Sequence, residues 1–172
     1  ELRRRSAVPI SGGELNGGWH EFRVMLEKGC FDIYQPDATF GGGISDARKV
    51  MEACREQGLH FAPHTWSNGI GFIVNLHLNA AGARDHPLEY AIDPPGWIPE
   101  KRDGLLVEPI IADSKGTIPV PDKPGLGISI DEEQLARYGE KFFDMSSKGL
   151  AFKTIREKGL FTAFRLALRK RR

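Results

Sequence analysis

Three ionisable residues stand at matching points in successive segments of the chain: Glu14, Asp37 and His64. Each follows a short apolar, strand-like run: Ala7-Val8-Pro9-Ile10 before Glu14, Phe31 to Gln35 before Asp37, and Leu59 to Pro63 before His64. Neighbouring strands of a sheet lie about 4.8 Å apart, so Asp37 and His64 are within reach of each other if their strands are adjacent. A carboxylate on one imidazole nitrogen fixes the tautomer and raises the basicity of the other nitrogen, which is the arrangement of a general base. Glu14, one strand further along, offers oxygen to a hard cation such as Mg²⁺. Glu89 closes a fourth run, Pro87 to Ile92, and reads equally as a rim carboxylate. Taken singly, each residue has a structural reading: a hydrogen-bonded histidine, a loop-capping aspartate, a solvated glutamate. Their shared placement at strand ends favours chemistry.

The elements that must position these residues follow from periodicity. Trp19 to Lys28 has Phe22, Met25 and Leu26 at helical spacing and Gly29 as a stop; Ser45 to Gln57 carries Ala47, Val50, Met51 and Cys54 on one face, with Ser45 or Asp46 as cap and Gly58 as stop. Gly69 to Ala81 is apolar almost all round and reads as a buried helix. Strands begin near positions 7, 32, 59 and 88 with a helix between each pair. This is an α/β pattern of parallel strands with helical crossovers. The unit length suits part of a (β/α)₈ barrel, and a doubly wound sheet would show the same alternation; in both, the active site lies at the C-terminal strand ends. After Asp93-Pro94-Pro95 the pattern predicts two antiparallel strands, Leu105 to Ile111 and Thr117 to Val120, and a turn-rich connector from Pro121 to Gly127. A helix from Asp131 to Phe143 follows, with Asp131 as cap. The expected divisions are 1–95, 96–143 and a basic helical tail, 144–172.

Composition narrows the class. The 172 residues are 40% hydrophobic and 27% charged with a net charge of +1, the balance of a globular domain with no general attraction to nucleic acid or membrane. Lys153, Arg156, Lys158, Arg165, Arg169, Lys170, Arg171 and Arg172 concentrate positive charge in the tail, where a solvated helix end is expected in preference to a lipid or RNA site. Cys30 and Cys54 make no metal-type pair and are expected to be reduced and structural, consistent with a cytoplasmic protein. No apolar run approaches the roughly 18 residues of a bilayer span, and no signal peptide is visible. Gly41-Gly42-Gly43 lacks the continuation of a dinucleotide fingerprint, and there is no G-x-S-x-G elbow or Walker-type loop. The chain opens on Glu-Leu-Arg-Arg-Arg without an initiator Met, as expected of the later part of a longer polypeptide.

The motifs Pro9-Ile-Ser-Gly-Gly-Glu14, Gln35-Pro-Asp37 followed by Gly42-Gly43-Ile44, and Ala62-Pro-His64 resemble the second half of the barrel in the enolase superfamily, in particular the mandelate racemase/muconate lactonizing enzyme group. Val107-Glu-Pro-Ile and Pro124-Gly-Leu-Gly127 resemble the segment that runs from that barrel back toward a capping domain, so the resemblance covers about residues 7 to 143. It implies the C-terminal portion of a (β/α)₈ barrel, then a short antiparallel β segment and C-terminal helices. It further implies Glu14 as a carboxylate ligand of Mg²⁺, and His64, oriented by Asp37, as the base that removes the proton α to a substrate carboxylate. Glu89 would be a donor to the resulting enediolate. The stretch Pro63 to Asn68 looks like the acid-sugar dehydratase branch, with Trp66 and Asn68 as substrate contacts and His64 returning a proton to the departing hydroxyl. A racemase or cycloisomerase using the same pair, or a catalytically incomplete structural module, are the alternatives. The implied partner is a small sugar acid, with a homo-oligomer expected and neither nucleic acid nor membrane. A capping domain, a lysine-bearing strand and two further metal ligands would precede Glu1.

Overall fold

Three short strands, β1 (Ser11–Gly12), β2 (Ile33–Tyr34) and β3 (His60–Phe61), form a parallel sheet in the order β1-β2-β3. The computed structural model describes residues 1–82, 86–140, 146–162 and 164. Ser11 pairs with Ile33 and Ile33 with His60, so the three strands run in step. Pairing continues past the strand ends, with the amides of Gln35, Ala62 and His64 donating to the carbonyls of Gly12, Tyr34 and Pro36 at 2.9, 3.0 and 3.2 Å. A short α1 (Leu2–Arg5) precedes the sheet. Helix α2 (Trp19–Glu27) links β1 to β2, α3 (Gly43–Gln57) links β2 to β3, and α4 (Gly69–Gly82) follows β3. This is the expected run of βα units.

Packing follows the apolar faces read from the sequence. Phe22 and Leu26 of α2, Ala47, Val50 and Cys54 of α3, and Leu78 of α4 close over Tyr34 and Phe61 of the sheet. Fully burying a side chain of this size contributes roughly 1.5–3 kcal/mol. Tyr34 is completely buried and donates its hydroxyl to the Met25 carbonyl at 3.0 Å, so its polar end is satisfied where it enters the core. Both cysteines are free; burial pushes the Cys54 thiol up to about 12, which makes it an inert core residue.

The cap of α3 differs from expectation. The helix starts at Gly43 with Gly42, at φ +85°, in front of it, and Asp46 lies inside its first turn. The Asp46 carboxylate instead accepts the amide of Trp19 at 3.0 Å and so caps the neighbouring helix α2. This cross-helix bond ties the starts of the two crossovers together at the end of the sheet that carries the site.

Three expected strand segments are also corrected. Residues 87–92 lie beside β3 without joining its ladder, because Thr65 meets Glu89 through side chains: its amide donates to the Glu89 carboxylate and its hydroxyl to the Glu89 carbonyl. Leu105 to Ile111 and Thr117 to Val120 do not pair as strands. The turn at Asp113 is present, its carboxylate taking the amides of Lys115 and Thr117, but Leu106 bridges antiparallel to Ile130 instead. Leu106 and Ile110 thereby pack on Phe72, Ile73 and Leu76 of α4 in a second core. α5 (Pro99–Arg102) precedes this segment and α6 (Glu132–Tyr138) follows it, with Asp131 accepting the amides of Glu133 and Gln134 as its cap. The helix expected up to Phe143 ends at Tyr138, and residues 141–143 lie outside those described. α7 (Ser147–Lys158) lies in the second of two compact units, Glu1–Leu135 and Ala136–Arg172. Among the described residues no helix is long and apolar enough to cross a membrane.

Candidate active site

The three strands deliver Glu14, Asp37 and His64 to one end of the sheet, and the segment beside β3 adds Glu89. His64 is the centre of the group. Its Nδ1 lies 3.1 Å from Asp37 Oδ2, and its Nε2 lies 3.7 Å from Glu14 Oε2 and 3.9 Å from Glu89 Oε2. The His64 side chain is 15% exposed, so most of it is shielded from solvent. Three carboxylates singled out by sequence position therefore converge on one imidazole.

The approach to Glu14 depends on glycine. Gly13 has φ +113°, and a Cβ there would meet the Phe22 ring at 2.7 Å. The turn that swings Glu14 toward His64 is thus closed to a side chain at Gly13 for both conformational and steric reasons.

Asp37 is 4% exposed and fully engaged. Its Oδ1 accepts the Thr39 amide at 2.8 Å, the Thr39 hydroxyl at 2.7 Å and Asn75 Nδ2 at 3.0 Å, which leaves Oδ2 to His64. Burial acts to raise its carboxyl, but the bonds from the Thr39 side chain, Asn75, the Thr39 amide and His64 together outweigh it and hold Asp37 below the usual carboxylate range. An ionised Asp37 accepts Nδ1–H and so turns the lone pair of Nε2 toward the two glutamates.

Asn75, Thr39 and Thr65 escaped the sequence reading. Asn75 is wholly buried on α4; its Oδ1 takes the Ala38 amide at 3.1 Å while its Nδ2 serves Asp37. The signal was an amide within an apolar helix, since a buried polar group demands a partner. Thr65 is also wholly buried and fixes Glu89 through the two bonds already described. Asn68 accepts the Gly71 amide at 3.1 Å and so caps α4, while Trp66 is 49% exposed.

Glu14, at 53% side-chain exposure, presents a carboxylate to the same space as His64 Nε2. Among the described residues no group of three or more His, Cys, Asp or Glu side chains is arranged to hold a metal ion. A hard cation takes about six oxygen ligands, so Glu14 fits as one ligand and does not make a site alone.

The family described as enolase C-terminal domain-like is matched over residues 1–134. The chain belongs to this family. The enolase C-terminal domain-like chain is 30% identical over 141 residues to the D-galactarolactone cycloisomerase of Agrobacterium fabrum, covering 80% of this chain and 37% of that protein. It is 34% identical over 143 residues to the arabinonate dehydratase of Saccharolobus solfataricus, covering 80% and 35%. Among solved structures, the 3,6-anhydro-D-galactonate cycloisomerase of Zobellia galactanivorans superposes with a TM-score of 0.68 at 30% identity over 80% of this chain and 37% of that one. The chain thus spans little more than a third of the length of these relatives. Its fold is the C-terminal, barrel-derived α/β part of the enolase superfamily.

Proposed function

We propose that this chain supplies the general-base half of an enolase-superfamily active site that abstracts the proton α to the carboxylate of a hydroxy or sugar acid, with dehydration as the outcome. The observation that carries the reading is the oriented dyad, Asp37 Oδ2 at 3.1 Å from His64 Nδ1. Asp37 stays ionised, holds Nδ1–H and leaves Nε2 free to accept the α-proton. The imidazolium so formed is stabilised by Asp37 and then gives its proton to the β-hydroxyl, which leaves as water; the enol that remains becomes a 2-keto acid. His64 thereby acts first as base and then as acid on one face of the substrate. Glu89, with Oε2 held by the Thr65 amide, serves as a proton donor toward the enediolate from its other oxygen when protonated. Trp66 and Asn68 flank the substrate from the loop after β3. Glu14 would occupy one coordination position of Mg²⁺, which when bound supplies positive charge opposite the substrate carboxylate.

The relatives' names support the substrate class: one is a dehydratase of a sugar acid and another a cycloisomerase of a sugar-acid lactone. The cycloisomerase likeness favours a second outcome of the same proton transfer, in which no water is lost. The test is α-proton exchange, followed by proton NMR in D₂O with Mg²⁺ and a panel of aldonic and aldaric acids. Exchange that disappears in His64→Ala supports the base assignment, and a 2-keto product selects dehydration over cycloisomerisation. No exchange with any acid in the presence of Mg²⁺ would count against the reading.

A further inference from the structure

The unit Ala136–Arg172 carries a surface that the proposed chemistry leaves unused. Phe152, Leu160, Phe161 and Phe164 are 70%, 71%, 82% and 66% exposed, and Ile155, three residues along α7 from Phe152, is exposed as well. Scattered apolar side chains on a surface are ordinary, but a cluster of large ones in so short a segment is the mark of an interaction site. The charge around them is one-sided. From Ser146 to Arg172 there are nine lysines and arginines against one acidic residue, Glu157, in a chain whose totals are 24 and 23.

Aromatic and aliphatic groups in water, interleaved with cations, are what a segment lying in the plane of an anionic bilayer presents: the rings and leucines enter the acyl boundary and the cations face the headgroups. Nucleic acid would engage the cations and leave Leu160 and Ile155 in water. Pairing this segment with the same segment of a second copy would set like charges against each other. We propose that the segment Ser146 to Arg172 binds peripherally to anionic lipid, independently of the site around His64. Each basic residue near such a surface adds roughly fivefold to partitioning, and the attraction falls as salt screens it.

The experiment is flotation of the full chain with vesicles of phosphatidylcholine alone or mixed with phosphatidylserine, at low and high salt. The expected result is binding at least about tenfold tighter to the mixed vesicles, weakening at high salt. Phe161→Ser with Phe164→Ser should lower it by a further tenfold or so, while the thermal midpoint of the protein stays unchanged. Equal binding to both vesicle types, or none, overturns the proposal. So does salt-sensitive self-association without lipid, seen by size-exclusion chromatography, or tight binding of poly-U by a chain that ignores vesicles.

Discussion

Asn75 Nδ2 lies 3.0 Å from Asp37 Oδ1, the carboxylate oxygen opposite the one that meets His64 at 3.1 Å. One wholly buried amide thus joins the Thr39 amide and hydroxyl on the oxygen that His64 does not meet, and its own carbonyl secures the Ala38 amide of the same loop. Asn75→Leu keeps the volume and removes these bonds, leaving the buried Ala38 amide without its acceptor and Asp37 Oδ1 with the two Thr39 donors alone. The expected loss is about 1–3 kcal/mol of stability, read as a lower urea midpoint at unchanged m-value. A midpoint equal to the parent's would show that the amide is not a structural tie.

Asp37 contributes to the loss of stability in acid. Its folded pKa lies below its unfolded value of about 3.9, because Thr39, Asn75 and His64 favour the ionised form against the opposing effect of burial. The stabilisation it gives is therefore fully present above about pH 4 and is lost as the pH falls through the folded pKa. Urea midpoints measured from neutral pH downward should drop more steeply below about pH 4 in the parent than in Asp37→Asn. Parallel curves would remove Asp37 from the acid transition.

The strand-end residues were legible in the sequence because a parallel sheet converts equal position within each βα unit into one spatial face. Glu14, Asp37 and His64 needed no more than that period. Thr39 and Asn75 were not legible, since the bond between residues 37 and 75 depends on how α4 settles against the sheet. The same limit applies to the start of α3: the sequence offers Ser45 or Asp46 as its cap, and the partner Asp46 has is the Trp19 amide, placed by tertiary packing. Residues 87–92 read as a strand from their apolar content, and Thr65 replaced the ladder with side-chain bonds.

Thiol reactivity should separate the two cysteines. Cys54 is buried, and its thiol is pushed up to about 12 by burial, so about one part in ten thousand is thiolate at pH 8. Cys30 is half-buried. Titration of the native chain with a chromogenic disulfide should therefore release one equivalent, with the second appearing only after denaturant is added. Two equivalents released at similar rates from the native chain would mean that the core around Val50 and Phe61 opens readily.

Arg102 and Asp103 form a buried ion pair whose energetics should be strongly non-additive. Arg102 is 1% exposed and Asp103 3%, and the guanidinium lies over both the Phe72 and the Tyr90 ring, 4.7 and 4.4 Å from their centroids. Arg102 Nε and Nη2 each donate to Asp103 at 2.8 Å, and Nη2 also reaches the Ile110 carbonyl at 2.6 Å while Asp103 Oδ2 accepts the Ile110 amide. Removing one partner strands a charge where water cannot reach it, so Asp103→Leu or Arg102→Met alone should cost about 3–5 kcal/mol. In the double variant no charge is left uncompensated; what is lost are the bonds to Ile110 and the one from Arg102 Nη2 to the Tyr90 hydroxyl. Its cost should therefore fall below the sum of the two single costs by about 2 kcal/mol or more. Thermal unfolding of the four proteins gives the cycle directly. Additive single and double costs would mean that Tyr90 and Phe72 stabilise the guanidinium sufficiently without Asp103, and that the pairing contributes little to the packing of α4 against the segment around Ile110.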